Sequence, residues 1–123
     1  MTILKSITLV LLLIIGIIVS CKKEENLANN VKIIGVWISI DKSDTLDFAD
    51  KTDFYKSSVG FKHDLYKYHL TNDSILIDYS GIRMPMVQNT THKYNLSGNN
   101  LTIDFNNKNC FGFELVVMNY LRK

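Results

Sequence analysis

From about residue 33 onward the chain alternates apolar and polar residues in short runs, set apart by Asn, Asp, Ser and Gly. A period of two marks strands with one buried face. Val36–Ile40 reads as a first strand and Thr45–Ala49 as a second, with Leu46 and Phe48 on one face. Asp53–Lys56 follows as a third. Leu65–Leu70 places Tyr66, Tyr68 and Leu70 inward, then turns through Thr71-Asn72-Asp73-Ser74 into Ile75–Tyr79. A further strand is expected around Arg83–Val87. Its Pro85 marks an edge, bulge or bend, because a proline nitrogen cannot donate to a ladder.

The plainest hairpin joins Lys93–Leu96 to Leu101–Phe105 through Ser97-Gly98-Asn99-Asn100. Gly and Asn accept the positive φ angles of a tight turn, and Tyr94, Leu96, Leu101, Ile103 and Phe105 share a face. The last segment is double-valued. Phe113, Val116, Val117, Tyr120 and Leu121 fit a helical stripe, whereas Phe113, Leu115, Val117 and Leu121 fit a strand face. The β-branched pair Val116-Val117 and the neighbouring strands favour a strand. Together these segments predict an all-β chain, a small antiparallel meander of about eight strands. Closure into a β-barrel is the arrangement that best hides its edges.

The N-terminus breaks the alternation. After Lys5 an uncharged run of 13 residues extends from Ile7 to Val19. A membrane-spanning helix needs about 20 residues, so the run has the length of an export-signal core. It ends in Ile18-Val19-Ser20-Cys21, which resembles the lipobox of bacterial lipoproteins: an aliphatic residue, a tolerant position, a small residue and then cysteine. The resemblance implies lipid transfer to the Cys21 thiol, cleavage before it, and acylation of the new amine. Acyl chains on one residue anchor stably, since each buried methylene contributes about 0.8 kcal/mol. The competing reading is an uncleaved anchor with an incidental cysteine.

Residues 1–20 are thus read as a lipoprotein signal peptide, 21–32 as a flexible polar tether and 33–123 as the barrel domain. Lys22 stands where an aspartate retains lipoproteins in the inner membrane under the enterobacterial sorting rule, so the resemblance implies the outer membrane, on its periplasmic face or at the cell surface.

A chain of 123 residues has room for one domain. Loss of residues 1–20 removes Lys5, one of 14 basic residues, and no acid, which leaves 13 basic against 12 acidic groups. That near-balance argues against a nucleic-acid partner held through phosphates. With Cys21 acylated, Cys110 stands alone and is expected to be buried as a small apolar residue. His63, His69 and His92 have no metal-ligand spacing. Asp41, Asp44, Asp47, Asp50 and Asp53 read as solvated turn and outward strand residues. No phosphate loop, nucleophile elbow or paired-acid motif is present. The expectation is therefore no enzyme, no metal and no cofactor.

One resemblance spans residues 33–123. Ile34-Gly35-Val36-Trp37 matches the Gly-x-Trp that opens the first strand of the lipocalins, followed by Thr45-Leu46-Asp47-Phe48 and the hairpin of residues 94–103. On these motifs the chain resembles bacterial lipocalin-like lipoproteins. The resemblance implies a β-barrel that binds a small apolar or amphipathic ligand. Trp37, Phe48, Tyr66, Tyr68, Tyr79, Tyr94 and Phe105 are then barrel-lining or core residues, with Trp37 plugging one end. The alternative is a filled barrel serving as a structural or interaction lipoprotein for another envelope protein, because the 91 residues from Ile33 onward are few and eight strands can be filled by side chains alone.

Overall fold

The computed structural model describes residues 29–83 and 86–123. The expected signal peptide, Cys21 and most of the expected tether lie outside the described residues, as do Met84 and Pro85. Eight strands follow one another as β1 (Gly35–Ser39), β2 (Asp44–Phe48), β3 (Asp53–Ser58), β4 (Phe61–Leu70), β5 (Ser74–Tyr79), β6 (Thr90–Ser97), β7 (Asn100–Asp104) and β8 (Val117–Arg122). Each pairs antiparallel with the next, and β8 returns to β1, so the sheet is a closed barrel in simple up-and-down order. This is the closed all-β barrel that the alternation predicts, and its architecture is lipocalin-like. Closure leaves no unpaired edge among these strands.

Two expectations are corrected. No strand is found at 83–87 among the described residues there: Arg83 lies in a bend and Met86 in a turn. The place beside β5 is taken by β6, with Ile77 opposite Thr90 and Ser74 opposite Lys93, so a further strand would have no free edge to join. The final segment is indeed a strand from Val117, but its face is reversed. Tyr120 is buried while Val117 and Leu121 are exposed. Tyr120 lies opposite the inward Leu101 on one side and the inward Ser39 on the other, and residues paired across a sheet share a face. Pairing thus overrules the local apolar pattern.

The lower half of the lumen is an aromatic core. Phe54 lies 4.9 Å from both Phe48 and Tyr66, and Tyr68 meets Phe48 edge-on at the same spacing. The barrel floor is closed by the chain just before β1. Residues 29–32 form a helical turn in which the Ile33 amide donates to Asn29 O at 3.0 Å. Ile33 and Trp37 are fully buried, and the Trp37 indole N–H donates to Ile33 O at 2.7 Å. Arg122 donates to the carbonyls of Ile34 and Lys32. Gly35 has φ +133°, and a Cβ there would come within 2.9 Å of the Arg122 guanidinium. Glycine in Gly-x-Trp is therefore what lets this arginine reach the floor.

Candidate functional site

Following the inward positions of each strand upward from the floor shows where the lumen changes chemistry. On β1 the inward sequence is Trp37 then Ser39, and on β2 it runs Phe48, Leu46, Asp44. On β3 it is Phe54 then Lys56, on β4 Tyr68, Tyr66, Asp64, and on β6 Tyr94, His92, Thr90. The upper ends of five of these walls are thus polar or charged. Ser39, Lys56, Asp64, Thr90 and His92 are all buried. A barrel optimised only for stability would continue its apolar layers, because buried charges are costly unless paired.

The charges in this layer are paired. Lys56 Nζ lies 3.2 Å from Asp44 Oδ1, with 8% and 14% of the two side chains exposed. Arg83 reaches from the β5–β6 loop to Asp64, and its backbone amide donates to the Tyr79 hydroxyl at 3.0 Å. His92 Nε2 is 2.6 Å from Thr90 Oγ1. Burial holds the His92 ring below its ordinary pKa, against the opposing influence of Asp104. Among the described residues, His92 Nδ1 and the Tyr120 hydroxyl find no hydrogen-bond partner. Burial pushes the Tyr120 phenol strongly upward, reinforced by Asp44 and Asp41, so it remains a protonated donor.

The β7–β8 connection, residues 105–116, completes the site by crossing the mouth. It leaves from β7 yet touches the opposite wall: the Tyr66 hydroxyl on β4 donates to Phe111 O at 2.9 Å. Phe111 packs 4.6 Å from Tyr79 on β5. Phe113 turns down into the lumen, stacked 4.4 Å from Phe105 and beneath Lys56, whose ammonium is 5.0 Å from the ring centroid. Between them Gly112 has φ +84°, and a Cβ there would overlap the Tyr66 hydroxyl. Only glycine lets the strap lie this close. Beside it a cavity of about 360 Å³ opens to solvent, lined among others by Asp44, Lys56, Ser58, Arg83, Gly112 and Met118.

The aromatic residues named from sequence divide by height. Trp37 and Phe48 lie in the floor and lower core, and Tyr94 is tied to the floor, its hydroxyl donating to Thr71 O and accepting from Asn29. Tyr68 is bonded to Asp50 O in the β2–β3 turn, also low in the barrel. Tyr66, Tyr79 and Phe105 reach the upper chamber through the strap. Cys110 is buried and free. Burial pushes its thiol pKa up, opposed by Thr90 and Lys56, so it is a poor nucleophile. Asp41 and Asp50 are turn-capping carboxylates: Ser43 and Ser39 hold Asp41 down at about 2, and the Thr52 and Asp53 amides lower Asp50. Asp44 departs from the outward reading, facing Lys56 instead.

Lys56, Asp64, Thr90 and His92 were not singled out from sequence as site residues. The signal was present in parity: each lies an even number of positions from an inward aromatic on its own strand, Phe54, Tyr66 or Tyr94. Among the described residues no three His, Cys, Asp or Glu side chains come together as a metal site. Comparison of the chain with family models, curated proteins and solved structures gives no match. The site must therefore be read from its own geometry, which offers paired charges, buried hydrogen-bonding groups and aromatic faces around one mouth.

Proposed function

We propose that this protein is a lipid-anchored, non-enzymatic binding module of the cell envelope. It is a lipocalin-like lipoprotein held at the outer membrane through acylated Cys21, and it takes a small amphipathic ligand at the barrel mouth. One observation carries the reading: the largely buried Lys56–Asp44 ion pair lines an open cavity at the mouth, where apolar residues would serve stability better. Residues 29–33 enter at the floor, the end opposite the mouth, so a tether attached there presents the mouth away from the membrane.

Native mass spectrometry of the protein purified from envelopes tests the ligand reading. A retained small molecule, lost in the folded double variant Lys56→Met/Asp44→Leu, supports it; wild-type protein that retains nothing and binds no amphiphile in titration sinks it. The anchor is tested separately. Cys21→Ser protein should leave the membrane fraction on washing, and continued attachment would refute acylation at that residue.

A second reading rests on the outer wall. Ile40, Leu115, Val116, Val117 and Leu121 are exposed apolar side chains on and beside β8, where an interaction lipoprotein would meet another envelope protein. Cross-linking in envelopes that captures one protein, and loses it in Leu121→Lys, would favour that role.

A further inference from the structure

The strap across the mouth holds a ring in a seat that other molecules could fill. Phe113 is the last buried side chain of a connection with little regular structure, flanked in sequence by the exposed Gly112 and Glu114. Its ring is stacked on Phe105 at an interplanar angle of 18°, edge-on to Tyr66 at 5.6 Å and covered by the Lys56 ammonium. The seat is thus a flat aromatic slot, with one ring face against Phe105 and a cation over it. Lys56 has three N–H donors, and Asp44 is its one ion-pair partner among the described residues. The Lys56 ammonium is therefore left with unused donors beside the ring. The Tyr120 hydroxyl, on which Asp44 also acts, has no hydrogen-bond partner among the described residues.

We propose that Phe113 is a resident occupant of the ligand seat, and that the ligand which displaces it is a planar, electron-rich aromatic anion. The proposal rests on the mouth being the binding site. The aromatic part takes the Phe113 position on Phe105. The acidic group takes the free N–H donors of Lys56, replacing a weak contact between ammonium and ring with a charge-assisted hydrogen bond. A ring lying beneath an ammonium is repelled if it carries positive charge, so aromatic cations are rejected even though Asp41 and Glu114 stand at the rim. Binding lifts the strap, and with it Cys110, three residues before Phe113.

Cys110 supplies the readout. In envelopes carrying the full chain, N-ethylmaleimide labelling of Cys110, followed by peptide mass, is slow in the closed state because the residue is only 4% exposed. Saturating 1-naphthalenesulfonate should speed it about tenfold, as a ligand selecting the open strap shifts the population. The cation 1-naphthylmethylammonium should leave the rate unchanged. Phe113→Ala removes the occupant, so it should label rapidly without any probe and bind 1-naphthalenesulfonate about tenfold more tightly. Lys56→Gln should lose the response to the anion.

Binding of 1-naphthalenesulfonate with no change in Cys110 labelling, or equal responses to anion and cation, overturns the seat proposal while leaving the mouth as a binding site. A natural ligand of other chemistry retained in native mass spectrometry, with no aromatic anion bound, does the same. The comparison of the two probes on wild-type protein needs no substitution, so it decides the matter even if Phe113→Ala fails to fold.

Discussion

The guanidinium carbon of Arg122 sits 4.3 Å from the centroid of the Trp37 ring, tying the last strand to the first across the barrel floor. The same side chain donates to the carbonyls of Ile34 and Lys32. One residue thus reinforces the β1–β8 seam and fastens the segment that enters β1.

Arg122→Ala is expected to destabilise the fold by about 2–4 kcal/mol, combining the lost ring contact with the lost charge-assisted bonds. Arg122→Lys should recover only part of this, since an ammonium lacks the planar fork that serves two carbonyls and a ring together. Urea unfolding of the three proteins measures it. A loss for Arg122→Ala within experimental error of zero would show that the floor closes without this residue.

The Lys56–Asp44 pair should look unnecessary to stability when removed as a unit. Either Lys56→Met or Asp44→Leu alone leaves a buried charge without its partner and should cost about 3–5 kcal/mol. The double substitution should lie within about 1 kcal/mol of wild type or above it, because well-packed apolar residues often replace buried ion pairs at no loss. A double-mutant cycle on unfolding midpoints separates these terms. Additive losses in the double variant would instead make the pair a structural requirement.

His92 should give the fold an acid limit. Burial lowers its pKa from the usual 6.5, so the unfolded chain takes up a proton at a pH where the folded one resists it. Stability is then complete above the unfolded pKa and declines as the pH drops through about 6.5 toward the lower folded value. His92→Gln cannot titrate and should show a flatter dependence over the same range. Denaturant midpoints measured from about pH 7.5 to 5.5 test this, and parallel curves for the two proteins would contradict it.

Gly112→Ala should unseat the strap. The substitution places a Cβ against the Tyr66 hydroxyl at a backbone φ of +84°, so both the steric contact and the left-handed conformation oppose it. A loss of about 1–3 kcal/mol is expected, together with faster thiol labelling of Cys110. Gly98→Ala, which also has positive φ but nothing within 4 Å of the added carbon, is the control: it should cost less and leave Cys110 protected.

The barrel is legible in the chain because alternation is a local property. Tyr66, Tyr68, Tyr94, Leu101 and Ile103 are inward for the same reason that they sit two or four positions apart, and turns such as Ser97-Gly98-Asn99-Asn100 announce themselves by residue type. The facing of β8 was not legible, since its local apolar pattern favours Val117 and Leu121 and only pairing with β7 and β1 turns Tyr120 inward. Nor was the mouth. Lys56 meets Asp44 from a neighbouring strand, Arg83 meets Asp64 from a loop, and Phe113 reaches beneath Lys56 after the chain has crossed the barrel. Alternation says which side chains enter the lumen; which of them meet there depends on strand register and on the course of the loops, because pairing and loop paths bring together residues that the local pattern treats separately.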